Sequence, residues 1–324
     1  MKKFFLLLSV SIAFMMGCQK TTITEITNSN AILNSMYERK CGSQEVLIRQ
    51  LKENPALAER MNAIETFTNA FKNNPSRFRL VNGVIEIPVV VNVLFQTATQ
   101  NISAAQIASQ IAVLNADYAA TNSDYALTPT LFQPVLSGNT NIRFVLDTVI
   151  RKSTNTSSWS TNDAMKKNPK GIAPTSPTTK LNMWCCNLGG GILGYAQFPG
   201  GNSSTDGVVI DDNAFGSSGT VKAPYNKGRT ATHEVGHWLN LRHIWGDANC
   251  GNDYIGDTPL HNGANYGCPS YPKKSTCSST PVMMTMNYMD YTDDACMYMF
   301  TAGQKTRMQA VFASGGPRAS FAAP

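Results

Sequence analysis

A cluster of histidines constrains this chain more than any other feature of its sequence. Three of the four histidines, His233, His237 and His243, lie within the run HEVGHWLNLRH. Two histidines four positions apart share one face of a helix and can bind the same metal ion, and Glu234 stands beside them as a general base for water. Three histidine ligands leave a fourth position open, which is typical of a catalytic rather than a structural zinc site. The cluster therefore predicts a zinc hydrolase, most simply a peptidase.

His243 can join this site only if the helix ends before it. It lies six positions beyond His237, and at about 100° per residue a continuing helix would turn it away from the other two ligands. A sharp helix end usually requires a residue in the left-handed conformation, most often Gly and next Asn. We therefore expect the active-site helix, about residues 229–239, to end at Asn240, which then turns His243 back toward the metal.

Two segments together resemble a known family. HEVGHWLNLRH is similar to the metzincin motif H-E-x-x-H-x-x-G-x-x-H, with Asn240 in place of the glycine, and with NYMDYTDDAC at 287–296 it resembles the pappalysin family, ulilysin-like bacterial members included. The likeness continues upstream in IPVVV, LNMW and LGGG and covers roughly residues 80–312. It implies an α+β metzincin fold, in which a small twisted mixed sheet, a backing helix and the active-site helix precede a loop-rich, disulfide-stapled lower subdomain.

The resemblance also implies roles for residues of the Met-turn and for the specificity pocket. Met289 would pack beneath the metal, and Tyr291 would stabilise the charge that develops on the substrate carbonyl oxygen. Enzymes of this type cleave before basic residues, and Asp293 and Asp294 are the candidate acids of that pocket. Ala295, where an acid is expected in such enzymes, counts against a basic preference.

Disulfides and a calcium loop are further implications of the resemblance. The four late cysteines allow three pairings, and the family selects Cys250–Cys277 and Cys268–Cys296. The Gly- and Asn-rich stretch after His243 is similar to a calcium loop, since oxygen ligands suit calcium, although ordinary turn aspartates are the alternative. The expected calcium ligands are Asp247, Asp253, Asp257 and Thr258.

The N-terminus predicts export. Lys2 and Lys3 precede an apolar run, 4–16, that is too short to span a bilayer comfortably, so residues 1–17 are predicted to be a signal peptide. The end of this run resembles a bacterial lipobox with Cys18 as the lipidated residue; plain cleavage nearby is the alternative. The protein is then an envelope lipoprotein or is secreted after processing. Export into an oxidising compartment favours disulfides.

The segment before the catalytic domain predicts a latent precursor. Residues 18–34 are rich in Thr, Asn and Ser and are expected to be a tether, and 35–79 a propeptide with a helix over 44–71. Cys41 is followed by Gly in a short basic context, as in metzincin zymogens in which a thiolate fills the open zinc position. An unpaired surface thiol is the alternative. Arg77 and Arg79 are candidates for activation cleavage.

Residues 80–324 are expected to form the catalytic domain, with an upper subdomain over about 80–240 and a lower one over about 241–324. Besides the active-site helix, hydrophobic periodicity predicts two helices and five strands in it. The adjacent Cys185 and Cys186 fall in one of these strands, where packed thiols are favoured over a vicinal disulfide. The predicted helices are 104–118 and 302–312, and the predicted strands are 84–95, 141–149, 181–186, 192–198 and 207–211.

Composition limits the classes of binding partner that we expect for this protein. Charged residues make up 15% of the 324 residues, and the net charge of +6 is scattered without a basic stripe, so nucleic acid is not expected as a partner. No second apolar segment is long enough to cross a bilayer, which leaves a lipid anchor as the only membrane contact. We expect a monomer with one catalytic zinc that acts on protein or peptide substrates and is bound by its own propeptide. A zinc hydrolase of a non-peptide amide, or a catalytically silent envelope lipoprotein, is the alternative; the intact Glu234 argues against a silent protein.

Overall fold

Two helices open the part of the chain that the structure, a computed structural model, describes, namely residues 38–74 and 83–321. Helix α1 (Ser43–Glu53) and helix α2 (Ala56–Asn73) replace the single helix expected over 44–71. The break falls at Pro55, which cannot donate a helical hydrogen bond but fits the start of a new helix. The signal peptide, the tether, Cys18, Arg77 and Arg79 lie outside the described residues.

A five-stranded sheet forms the centre of the fold, in the order β2-β1-β3-β5-β4. All neighbours are parallel except β4, which runs antiparallel to β5 at one edge. The small mixed sheet expected from the family is therefore present. Every residue of β3 is buried, including the free thiols of Cys185 and Cys186. The strands are β1 (Ile85–Phe95), β2 (Ile142–Ser153), β3 (Leu181–Cys186), β4 (Gly194–Ala196) and β5 (Val208–Asp211).

Three further helices complete the catalytic part. Helix α3 (Ala104–Tyr118) has the predicted bounds and begins at Ser103, whose side chain accepts a hydrogen bond from the Gln106 amide at 3.0 Å. Helix α4 (Arg229–Trp238) is the predicted metal helix, and all of its residues are buried. Helix α5 (Ala302–Ala310) starts with a capping box at Thr301. The sheet, α3 and α4 share one hydrophobic core.

The chain between α4 and α5 is mostly irregular, as expected for the lower part. Two disulfides cross-link it, Cys250–Cys277 and Cys268–Cys296, which are the predicted pairs. They close loops of separation 27 and 28 residues in a region without long periodic apolar runs, so they restrict its unfolded state considerably. Among the residues described, no helix has the length and apolar character needed to span a membrane.

Candidate metal centre

The three clustered histidines converge on one point. The Nε2 atom of His237 lies 3.1 Å from the Nε2 atoms of both His233 and His243. A tetrahedral zinc ion with Zn–N bonds of about 2.0–2.1 Å requires nitrogens about 3.3 Å apart, so this donor set fits zinc. Asn240 adopts φ 73°, the left-handed conformation that the spacing predicted, and the chain turns back there.

A hydrogen bond to a backbone carbonyl on the far side of the ring orients two of the three histidines. The Nδ1 atom of His233 lies 2.7 Å from the Tyr288 carbonyl oxygen, and that of His237 lies 2.8 Å from the Leu241 carbonyl oxygen. Because a carbonyl only accepts, Nδ1 carries the proton in both rings and the Nε2 lone pairs face the centre. Burial, then the neighbouring histidine, lowers the pKa of His237 to about 3, so the ring is neutral as a metal ligand must be.

Glu234 lies beside the three rings with its carboxylate fully buried. Loss of solvent raises its pKa to about 7, against the lowering effect of hydrogen bonds from Ser43 and Cys41. A carboxyl group with a pKa near neutrality is well suited to accept and return a proton. Gly194 makes this position possible, since a Cβ there would lie 2.8 Å from the Glu234 Cγ atom. Strand β4 can therefore approach the carboxylate closely.

Residues just before α1 fill the space in front of the histidines. The Cys41 Sγ atom and one nitrogen from each of the three histidines all lie within 4.8 Å of one another. The Gly42 amide donates to the Gly194 carbonyl at 2.9 Å, and Cys41 pairs with Gly194 in a parallel bridge. This segment thus runs along the free edge of β4. The predicted switch cysteine therefore lies beside the three histidine nitrogens that could hold a metal ion.

Ser43 adds a second contact to the same carboxylate. Its hydroxyl donates to the Glu234 Oε2 atom at 2.8 Å and accepts from the Ala196 amide at 2.8 Å. The Cys41 thiol donates to the same Oε2 atom at 3.3 Å. One oxygen of the candidate base therefore accepts hydrogen bonds from two residues of the segment that precedes α1.

The Met-turn lies beneath the histidines. Met289 is fully buried, and a Cβ at Gly236 in α4 would lie 2.5 Å from its sulfur, so the absence of a side chain there lets the two segments pack. The Ile244 amide donates to the Met289 carbonyl at 3.1 Å, which ties the chain after His243 to this turn. The ring of Tyr291 lies 4.9 Å from that of His243, and its hydroxyl donates to the Cys41 carbonyl at 3.4 Å.

A buried ion pair lies close to the Met-turn. Arg39 is 2% exposed, and its guanidinium donates to the Asp294 carboxylate at 2.5 Å and to the Thr292 carbonyl at 3.1 Å. Asp294 is one of the two acids expected to bind a basic side chain. It also accepts from the Lys227 amide at 2.8 Å, just before α4.

The expected calcium ligands are not brought to one point. The Asp247 Oδ1 atom lies 2.5 Å from the His243 Nδ1 atom, so this carboxylate orients a zinc-site histidine. Asp257 accepts from the Thr301 hydroxyl and the Gly303 amide at the start of α5. Asp253 and Thr258 are hydrogen-bonded to each other at 2.8 Å. Calcium binding in this loop stays a prediction.

Comparison with known proteins identifies the family. A family model described as pregnancy-associated plasma protein-A matches residues 190–313. An extracellular metalloprotease of Arthroderma gypseum is 30% identical over 259 residues, which are 76% of this chain and 80% of that protein. The chain belongs to the pappalysin family. It is also 41% identical over 140 residues to an extracellular metalloprotease of Pyricularia oryzae, but this match covers 41% of the chain and about half, 48%, of that relative.

Solved structures agree with this pappalysin fold. A Tannerella forsythia promirolysin mutant matches with TM-score 0.76 and 43% identity over 87% of this chain and 97% of that one. Mature mirolysin in complex with a cleaved peptide matches with TM-score 0.71 and 48% identity over 74% and 95% of the two chains. The metzincin fold expected from the motifs is confirmed. The precursor form matches a larger share of this chain than the mature form does.

Several residues of this pappalysin site were missed by sequence reasoning. Ser43 and Arg39 flank the predicted switch cysteine. Their partners lie 191 and 255 residues away, respectively, and no local sequence pattern predicts such distant contacts. Gly194 and Gly236 leave room for Glu234 and Met289. A glycine in the middle of the metal helix is costly for the helix itself, and that was the one available signal.

Proposed function

We propose that the protein is an exported zinc-dependent endopeptidase made as a latent zymogen. The observation that carries the proposal is the convergence of three histidine Nε2 atoms beside a buried glutamate, with Cys41 opposite them. The family relationship supports peptide-bond hydrolysis, and the names of the relatives support secretion. The signal peptide over 1–17 and lipidation of Cys18 remain proposals from the sequence.

His233, His237 and His243 would hold the zinc ion. Zinc supplies Lewis acidity when bound, which acidifies water and polarises a carbonyl group. Glu234 takes a proton from the attacking water and later delivers it to the leaving amine, a role that suits a carboxylate placed beside the three histidines. Burial raises the pKa of the Tyr291 hydroxyl well above its usual value. The hydroxyl therefore stays protonated and can donate a hydrogen bond to the developing oxyanion. Met289 supports the site by packing.

Latency follows from the contacts of residues 39–43. Cys41 would supply a thiolate to the fourth zinc position, and its neighbours occupy the edge of β4 along which a substrate backbone could pair. Ser43 and Cys41 also engage the base itself. The site is thus blocked at the metal position, at the base and at the strand edge.

A preference for basic side chains is supported by Arg39. This guanidinium is fully enclosed and ion-paired with Asp294, and it stacks over the Tyr225 ring at 4.9 Å. Once residues 38–74 have left, the same pocket offers a buried carboxylate to a substrate arginine or lysine. The acid expected at Ala295 is not needed for this, because Asp294 alone reaches the guanidinium.

Calcium binding around Asp253 is a secondary proposal. Burial raises the pKa of this carboxyl group to about 6, above its ordinary value of 3.8. A nearby cation would relieve that cost. The Thr258 hydroxyl donates to the same carboxylate at 2.8 Å.

The proposal is tested with the purified full chain, loaded with zinc. After processing it should digest azocasein and a peptide library with cuts before Arg or Lys, and phenanthroline should stop the digestion. Sequencing of the new N-terminus locates the activation cleavage. The Cys41→Ser precursor should be active without cleavage or activate much sooner than the wild type. A processed protein that cleaves a non-peptide amide but no peptide would replace the endopeptidase with the other hydrolase, and one that cleaves neither would support a silent binding protein.

A further inference from the structure

Helix α2 docks along a surface that begins beside the metal site, where the Phe198 ring lies 5.3 Å from the His237 ring. Its apolar contacts recur every seven residues on one helix face. Leu57 packs on Phe198, and Ile64 lies so close to Gly200 that its Cδ1 atom is 3.0 Å from the position of an added Cβ. Phe71 packs on the small residues Ala310 and Ala313. We call the receiving surface the α2 groove: Phe198, Gly200, Arg307, Ala310 and Ala313.

A buried charge lies in the middle of the α2 groove. Arg307 of α5 is 1% exposed, and both of its terminal nitrogens donate to Glu65, at 2.6 and 2.5 Å. Such a two-bond pair is the strongest form of arginine–carboxylate contact. The Nε atom of the same guanidinium donates to the Asn240 carbonyl at 2.7 Å. Glu65 therefore reaches, through one arginine, the turn that brings His243 to the metal.

The ends of α2 add two further contacts outside the catalytic cleft. Arg60 donates to the Gly200 carbonyl at 2.7 Å, and Lys72 donates to the Tyr254 carbonyl at 3.2 Å. None of these bonds depends on the covalent connection between residue 74 and residue 83. Removing α2 would expose the Phe198 ring and leave the buried Arg307 without its carboxylate, which is costly.

We propose that residues 38–74 stay bound after the connecting chain is cut and act as a non-covalent inhibitor anchored in the α2 groove. The proposal rests on the zymogen function above. The groove is then a binding site of the mature enzyme for an apolar helix that carries a carboxylate, and its first occupant is the protein's own cleaved segment. Cutting makes the inhibition bimolecular, so dilution or digestion of the segment, rather than the cut itself, releases activity.

The test uses the zinc-loaded full chain with a foreign protease site inserted between residues 74 and 83. After the cut, the segment should co-elute with the catalytic part on a sizing column, and peptide hydrolysis should stay low until the sample is diluted. Glu65→Ala should raise the concentration at which half of the activity is released by about tenfold. Glu65→Gln, which keeps the shape and loses the charge, should fall between. The matched control is Glu59→Ala, because Glu59 is exposed on the same helix.

All three substitutions leave with the segment, so all fully diluted samples contain the same catalytic chain and should reach the same final rate. No hydrolysis in any diluted sample would overturn the proposed function itself. Full hydrolysis at once after the cut, with no effect of dilution, would overturn the bound-inhibitor proposal and leave the function intact. Identical curves for Glu65→Ala and Glu59→Ala would overturn the anchor at Arg307.

Discussion

In the function proposed above, the Glu234 carboxylate has one set of partners in the precursor and another in the processed enzyme. In the precursor its Oε2 atom accepts hydrogen bonds from Ser43 and Cys41, and in the processed enzyme that oxygen faces water and substrate. The two hydrogen bonds lower its pKa, while burial raises it. Release of the segment therefore removes two hydrogen bonds that lower the pKa and admits water, which reduces the burial that raises it.

Replacement of Glu234 by Gln should lower kcat of the processed enzyme by about 10²–10⁴ because the side chain can no longer accept a proton. The amide has the shape of the carboxylate, so zinc content and Tm should stay close to those of the wild type. Steady-state kinetics on a fluorogenic peptide, beside metal analysis of the same samples, measures this. Turnover at the wild-type rate with full zinc content would remove Glu234 from the mechanism.

Ser43→Ala should speed activation of the precursor. The change leaves the Ala196 amide without its acceptor and frees one acceptor position on the Glu234 carboxylate. Loss of such a buried hydrogen bond corresponds to about tenfold in an equilibrium, so activity should emerge about tenfold sooner, with Cys41 unchanged. The control is Thr66→Ala, which removes an exposed hydroxyl of α2. Equal activation times for the two variants would show that Ser43 only fills space.

At the scale of elements, the end of helix α4 decides whether a third ligand is available. Asn240 has φ 73° and is 5% exposed, and its side-chain nitrogen has no hydrogen-bond partner among the described residues. The backbone conformation, rather than a side-chain contact, is therefore the reason for Asn here. Glycine meets the same requirement, as in the general metzincin motif.

Two substitutions at Asn240 separate conformation from contact. Asn240→Gly should leave the free energy of unfolding within about 1 kcal/mol of the wild type, because glycine adopts positive φ freely and no hydrogen bond is lost. Asn240→Ala should lower it by about 1–2 kcal/mol and weaken zinc binding, since His243 follows this turn. Denaturant unfolding and a zinc competition titration measure both. An alanine variant at least as stable as the glycine variant would contradict this account.

Elements with strong local signals were predicted well. Helix α3 has its predicted bounds because Ser103 caps it and its apolar residues keep one face. Strand β3 does too, since an apolar run in a parallel sheet is buried on both faces. Strand β4 is shorter than expected, 194–196 against 192–198, because the chain leaves the sheet on either side of it. The break at Pro55 was visible in the sequence but was overridden by the apolar periodicity around it.

In the site, too, residues with a local sequence signal were predicted and residues with distant partners were not. Ligand spacing is local, so the histidines, Glu234 and the turn at Asn240 could be predicted from one segment. The contacts of Arg39, Ser43 and Glu65 join residues that are roughly 190–255 positions apart in the chain, and no local pattern encodes them. They depend on how the segment before β1 folds back over the finished domain.

At the scale of the whole molecule, residues 38–74 bind the rest of the protein through three separate ion pairs. Arg39 pairs with Asp294 beside the Met-turn, and Glu65 pairs with Arg307 in α5. Arg49 pairs at 2.5 Å with Asp163, which also pairs with the fully buried Lys166. Of the three, only the Asp163 carboxylate keeps a basic side-chain partner when the segment leaves. Asp294 and Arg307 each lose their charged partner and can bind a ligand of opposite charge. Asp294 is therefore the candidate specificity pocket, and Arg307 lies in the candidate α2 groove.

The last prediction joins pH, calcium and global stability through Asp253. Its pKa of about 6 lies above the ordinary value of 3.8 because it is buried. The folded protein thus holds this proton more tightly than the unfolded chain does, so the stabilising contribution is complete below about pH 4 and is lost as pH rises through about 6. A bound calcium ion would offset that loss only where the carboxyl group is ionised. Calcium should therefore raise Tm relative to EGTA at pH 7.5 and do so much less at pH 5.

Asp253→Asn should abolish this calcium-dependent shift without unfolding the loop. The Thr258 hydroxyl, which now donates to Asp253, can donate instead to the Ile255 carbonyl at 3.1 Å and accept from the new amide. Zinc removal by EGTA would lower Tm equally in both proteins, so the difference between them isolates Asp253. If calcium raises Tm of the wild type and of Asp253→Asn by the same amount at pH 7.5, calcium binds elsewhere. If it shifts neither, the calcium proposal fails and Asp253 is a turn aspartate that costs stability at neutral pH.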